Sequence, residues 1–295
     1  MSAAMVQRVV VRMLFDPGFR ERVYADPEAA LHDVPLTAEE RQWVITPPPQ
    51  AYGVDVYRQS RALSGLLEEY PVAGALAVRC PQGLTRLQRF FASEAFHHCV
   101  QQRGSMADAF GHYLQSTTFA DAPTVARMAV VEASGVRVRR APYGSPAPAS
   151  PCPQVTWLCL APWVALLTVP PTTLSQYSRA LQRLRQHGPV LLEAILDTTY
   201  RLPVKLHGPG TATAWIIIVR DPASDSLSIE AASPALGAVL SAARLAVPWE
   251  AVCAEAVRLG ATPQEAVDII EELVADQLLL QEPCRPRDHG RWATV

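Results

Sequence analysis

Lysine is almost missing from this chain. Lys205 is the only one among 295 residues, so the 26 basic residues are otherwise arginine, and 28 acidic residues leave a formal charge of −2. That balance excludes a nucleic-acid surface driven by bulk charge, which needs clustered cations. Paired cysteines are missing too. Cys80, Cys99, Cys152, Cys159, Cys253 and Cys284 form no CxxC and keep no regular spacing. They read as reduced, mostly buried thiols rather than a disulfide framework. No window reaches the roughly 18 uncharged apolar residues of a membrane span; WLCLAPWVALLTV is shorter and reads as buried strands. The start MSAAMVQRVVV is broken by Gln7 and Arg8 and lacks a small-residue cleavage site, so the expected location is the cytoplasm. There is no GxGxxG, P-loop, GxSxG or HExxH, and Gly208-Pro209-Gly210 is a lone turn.

What the chain does have is a hydrophobic content of 49%, enough for more than one core, and a length that suits about two domains. Ser2 to Leu14 reads as a helix. Asp16-Pro17 and Asp26-Pro27 each start a further turn, and Thr37-Ala38-Glu39-Glu40 is a capping box. Pro47-Pro48-Pro49 ends that helix. Val56, Leu63, Leu66, Leu67 and Tyr70 define another, halted by Pro71. From Leu84 to Arg140 come three more amphipathic segments: Leu84, Leu87 and Phe91 share a stripe, Ser105 caps a helix carrying Met106, Phe110 and Tyr113, and Val125, Met128, Ala129 and Glu132 form the third. Residues 141–153, APYGSPAPASPCP, contain five prolines and read as a linker.

Beyond the linker the period changes. Val155–Leu160 and Trp163–Val169 read as strands, a helix follows from Thr172 to about Gln186, and Val190–Leu196 suits either state. Trp215–Arg220 and Leu227–Ala231 are the arms of a hairpin. Ser233-Pro234, Pro248 and the capping box Thr262-Pro263-Gln264-Glu265 open three helices, the last with a stripe of Val267, Ile270, Leu273 and Val274. Residues 283–295 form a polar tail expected to be loose. The fold class is therefore α+β: a helical domain over 1–140, a linker over 141–153, and a smaller α/β domain over 154–282 whose hairpin and three helices are winged-helix-sized.

Candidate chemistry is sparse. His97, His98 and Cys99 are adjacent, so on a helix they point about 100° apart, and His112 sits on another helix. No HxxxH spacing completes a metal site, and no metal or other cofactor is expected in this chain. Glu132 lies on an apolar face, where it calls for a partner: Arg86, Arg89 or backbone amides. Arg137, Arg139 and Arg140 form the one dense basic cluster. In a strand-like VRVRR, Arg137 and Arg139 would share a face and could take an anion or acidic peptide. Phe90, Phe91, Phe96, Phe110, Tyr113 and Phe119 are more aromatics than a small helical domain usually buries alone. Phe91, Phe96, Phe110 and Tyr113, with His98 and His112, are the expected partner-binding set. The hairpin offers an edge for strand addition, with Trp215, Ile217, Val219 and Arg220 as the expected peptide-binding residues.

Leu67-Glu68-Glu69-Tyr70-Pro71, Phe90-Phe91, Ala109-Phe110-Gly111-His112-Tyr113-Leu114 and Ala126-Arg127-Met128-Ala129-Val130-Val131-Glu132 occur in this order. Together they resemble the helical N-terminal region of partner proteins encoded beside multinuclear non-haem iron oxidases, the methanobactin-type enzymes that modify cysteines of ribosomally made peptides. The similarity covers about residues 55–140 and is weaker in the C-terminal part. Met1–Val44 are additional helices outside the pattern. The resemblance implies a non-catalytic subunit that docks through its helical domain on an oxidase of TIM-barrel fold. It would hold the precursor peptide through a region resembling a winged-helix peptide recognition element, with the iron carried by the oxidase. Two other readings compete: a stand-alone metal-dependent enzyme using His97, His98 and His112, and a winged-helix regulator. Against the regulator, the helix from Pro263 carries Glu265, Asp268, Glu271 and Glu272, which repel phosphate. Neither nucleic acid nor membrane is an expected partner.

Overall fold

The computed structural model describes residues 3–53, 55, 57–116, 119, 122–142, 156–188, 190–204, 212–221 and 224–282. Most of the expected linker and the whole of the expected tail lie outside them. The fold is mixed α+β, with a helical N-terminal part and two small antiparallel sheets. Two compact units form. The first joins Met1–Ala133 to Gln176–Leu206; the second joins Ser134–Ser175 to His207–Val295. The units thus divide after Ala133, inside a helix, rather than after Arg140, where that helix ends, and residues 176–206 group with the N-terminal helices rather than with the strands.

The first unit opens with α1 (Ala3–Phe15), α2 (Pro17–Ala25), α3 (Pro27–Ala30), α4 (Ala38–Ile45) and α5 (Pro49–Tyr52). Their starts are set locally. The Asp16 and Asp26 side chains accept from the Phe19 and Ala29 amides, each followed by proline at the first helical position, and Thr37 and Glu40 close the capping box. Val9, Met13, Phe19, Val23, Leu31 and Val44 form a small core beneath them. α6 (Arg58–Glu69), α7 (Pro71–Val78), α8 (Gly83–Gln88), a 3₁₀ turn (Arg89–Ala92), α9 (Glu94–Gln102) and α10 (Met106–Gln115) follow. The first part of α11 (Pro123–Arg140) also belongs here, and so do most of α12 (Thr173–His187) and all of α13 (Leu191–Leu196).

Within Val190–Leu196, ambiguous in sequence, Leu191–Leu196 is helical, and the residue after α7 offers its end a partner. Arg79, just past α7, donates Nη1 to the Ala75 carbonyl at 2.7 Å and to the Ile195 carbonyl at 3.1 Å. Its Nη2 donates to the Asp197 carbonyl, and its guanidinium lies 4.7 Å from the Tyr200 ring centroid. A single cation therefore satisfies carbonyls at the ends of two helices.

Glu132 is fully buried on α11 and reaches the start of α7, where Oε1 accepts from the Val72 N–H at 2.8 Å and Oε2 from the Ala73 N–H at 3.0 Å. Its partners are backbone amides, not Arg86 or Arg89. Tyr70, preceding α7, supplies no side-chain cap, so Glu132 does that work from a distant helix. Burial pushes its pKa up to about 8, and the two amides offset part of that shift.

In the second unit, α11 continues helical through Arg140. The sequence VRVRR is therefore not a strand: Ser134, Gly135, Val136 and Val138 are buried on the helix, while Arg137, Arg139 and Arg140 are exposed in its last turn. On a helix Arg137 and Arg139 point about 200° apart, so the shared face expected of them is lost. Three cations at a helix C-terminus instead complement its dipole. The strands are β1 (Trp157–Leu160), β2 (Val164–Val169), β3 (Ala214–Arg220), β4 (Leu227–Ala232), β5 (Val247–Pro248) and β6 (Leu279–Glu282). They form two antiparallel sheets ordered β5-β1-β6 and β2-β3-β4. α14 (Pro234–Ala242), α15 (Trp249–Arg258) and α16 (Pro263–Ala275) complete the unit. Leu158, Trp163, Leu166, Ile217, Leu240 and Ile270 share one core that draws on both sheets and all three helices.

A candidate peptide-binding edge

The hairpin β3–β4 forms as the sequence implies, but a third strand joins it. β2 pairs with β3 from Val164↔Val219 to Val169↔Ala214, and β4 pairs on the other side from Arg220↔Leu227 to Trp215↔Ala232. Trp215, Ile217, Val219 and Arg220 thus sit on the central strand, and their backbone is already paired. Their side chains are engaged as well. Ile217 is in the core, with Trp215 and Val219 packed on it. A Cβ at Gly237 of α14 would run into the Trp215 ring, so that helix lies close over the indole. Arg220 pairs with Asp225 at 2.5 Å and donates to the Ala141 carbonyl at 3.0 Å. The expected peptide site on these four residues is corrected accordingly: β3 cannot take another strand.

Its neighbours can be sorted by the direction of their backbone groups. The Arg220 N–H donates to the Trp163 carbonyl at 3.0 Å, and the Asp221 N–H to the Ser226 carbonyl at 2.9 Å. Bonded pairs recur every second residue in an antiparallel ladder. β3 therefore bonds β2 through Ile216, Ile218 and Arg220, and bonds β4 through Trp215, Ile217 and Val219. On β4 this leaves the N–H and C=O of Leu227, Ile229 and Ala231 directed away from β3. Among the described residues nothing pairs with them.

The opposite edge of the sheet is treated differently. On β2 the outward groups are those of Val164, Leu166 and Thr168. The Val164 N–H is taken by the Ala161 carbonyl at 2.9 Å, and the Leu166 carbonyl accepts from Arg244 Nη2 at 2.7 Å. Arg244 thus blunts this edge, one of the ways natural sheets block unwanted pairing. β6 has a free side too, but the same ladder count there leaves only Leu279 and Gln281 facing outward. β4 is the longest uncovered edge among the described residues. The side chains of Leu227, Ile229 and Ala231 share a sheet face with Ile216 and Ile218, and Leu227 lies against Gly135 of α11. On the other face Ser228 donates to Glu230, whose exposed carboxylate puts charge on an otherwise uncharged edge.

The expected partner-binding set is dismantled by burial. Phe91, Phe96 and Phe110 are completely buried and Tyr113 nearly so, as are Phe90 and Phe119. Phe90 alone has ring centroids of Phe91, Phe96, Phe110 and Tyr113 within 5.1–5.4 Å. The reason is α1, whose Phe15 lies 5.2 Å from Phe91 and 5.1 Å from Phe96. α1 thus supplies cover for this aromatic cluster. His98 and His112 are exposed, whereas His97 is buried, so the three do not converge. No group of three or more His, Cys, Asp or Glu side chains among the described residues could hold a metal ion. No described helix is long and apolar enough to cross a membrane.

β4's outward residues, Leu227, Ile229 and Ala231, escaped the sequence reading because they depend on strand order; the hairpin signal located the arm but not its open side. Compared with models of protein families, with characterised proteins and with solved structures, the chain finds no match.

Proposed function

We propose that this chain is a non-catalytic partner subunit. In this reading it holds a ribosomally made precursor peptide as an added strand on β4 and presents it to a multinuclear iron-dependent oxidase of TIM-barrel fold, for modification at a cysteine. The observation that carries this reading is the row of three unpaired backbone positions on β4. An extended peptide gains affinity from such a row through main-chain hydrogen bonds, and specificity from its alternating side chains. In the same reading, α14, α15 and α16 with the sheet β5-β1-β6 form the region that resembles a winged-helix peptide recognition element, beside the sheet that carries β4.

The regulator reading is disfavoured by α16, where Glu265, Asp268, Glu271 and Glu272 are all exposed and would repel phosphate. Docking on the oxidase falls to surfaces of the helical unit other than its buried aromatics. The test is co-expression with an iron oxidase encoded beside this chain and its cysteine-containing peptide. The peptide should co-purify with the chain, and Ala231→Pro should weaken its binding while Arg139→Glu does not. Loss with Arg139→Glu alone would move the peptide to the end of α11.

A further inference from the structure

The helical unit holds a buried imidazole that the β4 edge does not use. His97, in the first turns of α9, is 3% exposed, and its Nδ1 has no hydrogen-bond partner among the described residues. A buried polar atom without a partner costs free energy unless something outside the chain satisfies it. His97 lines a surface cavity of roughly 430 Å³ together with Arg8, Glu94, Ala95, His98 and Gln101. Arg8 supplies the one permanent cation of this lining and Glu94 the one carboxylate. Arg8 is half-buried and makes no described hydrogen bond or ion pair. The cavity also borders the start of α9, where Ser93 accepts from the Phe96 N–H at 3.3 Å, while the N–H groups of Glu94 and Ala95 are first-turn amides with no intrahelical acceptor. Gln101 is already committed, donating to the Ala4 carbonyl at 3.1 Å.

We propose that this cavity binds a small oxyanion, the phosphate or carboxylate group of a ligand, held by Arg8 and His97 at the N-terminus of α9. A guanidinium fork matches an oxyanion, and a helix N-terminus favours negative charge. Arg12, one turn along α1, adds charge from further away: it lies 3.9 Å from the Phe19 ring centroid and 3.8 Å from Asp16. The opposing charge on the rim is the exposed Glu94, and His98 is the other titratable group there. With the cavity empty, burial and the charges of Arg8 and Arg12 push the His97 pKa down to about 4, so the ring is neutral at pH 7. An anion offsets those charges and draws a proton onto His97, so binding strengthens as pH falls towards 5.

The experiment uses the whole chain at pH 6, titrated by calorimetry with inorganic phosphate and separately with acetate, against chloride at equal ionic strength. The His97 C2–H resonance, assigned with His97→Gln, is followed in parallel. At least one probe should bind above the chloride blank and move that resonance towards its imidazolium position. Arg8→Gln should weaken binding about tenfold or more. Arg8→Lys, which keeps the charge and loses the fork, should lie between, and covers the case in which Arg8→Gln fails to fold. Phosphate binding assigns a phosphoryl ligand, and acetate binding a carboxylate. No binding above chloride, or equal binding by the folded Arg8 variants, overturns the site.

Discussion

Glu132 makes the stability of the helical unit depend on pH in an unusual direction. Its folded pKa, about 8, lies above the ordinary 4.5, so between these values the folded chain keeps a proton that the unfolded chain has released. Its contribution is therefore fully present below about pH 4.5 and is lost as pH rises towards 8. The slope is about 1.4 kcal/mol per pH unit, giving a loss of about 4–5 kcal/mol across the window. Glu132→Gln carries no titrating proton and should flatten this slope. It also replaces one acceptor oxygen with a donor, leaving one of the buried Val72 and Ala73 amides unmet, which costs about 1–3 kcal/mol. At pH 5 the variant should thus be less stable than the parent; by pH 8 the order should reverse. Urea unfolding followed by far-ultraviolet circular dichroism at half-unit steps from pH 5 to 8.5 reads both curves. Parallel curves, or a parent whose stability rises over this range, would refute the reasoning.

Other perturbations follow from close contacts. Gly237→Ala places a methyl group inside the Trp215 ring and should cost about 1–3 kcal/mol by urea unfolding, although alanine is the better helix former. Gly111→Ala collides with the Tyr70 hydroxyl, which donates to the Ala107 carbonyl at 2.9 Å, and should lower stability by a similar amount, about 1–3 kcal/mol. Arg79→Ala leaves the Ile195 and Asp197 carbonyls without their cation, and hydrogen exchange should show α13 opening before the rest of its unit. Ala231→Pro removes an outward amide and should leave the sheet intact, whereas Ser228→Pro removes a bond to β3 and should destabilise it; thermal melts compare the two.

Helix starts were legible in the sequence because their signals act within one turn. Asp16, Asp26, Thr37, Ser105, Ser233 and Thr262 all cap as read, each accepting from an amide three residues on. Long-range features were not. The pairing of β2 with β3 joins segments with a helix pair between them, so nothing local to the hairpin reveals that β3 is central and β4 the edge. VRVRR alternates like a strand, yet the helix entering from Pro123 carries through it. The aromatics looked too many for one helical domain because the contribution of Phe15 from α1 is a tertiary fact. Glu132 lay in between: its stripe demanded a partner, but the amides it found are at the start of α7, some sixty residues earlier in the chain.

Residue-resolved amide exchange on β4 tests the central claim most directly, with and without the cysteine-containing precursor peptide that the proposed function calls for. In the free chain the account predicts fast exchange at Leu227, Ile229 and Ala231 and slow exchange at Ser228, Glu230 and Ala232, and it predicts that bound peptide slows the first three. Slow exchange at those three in the free chain, or no change in them once peptide is bound, would contradict it.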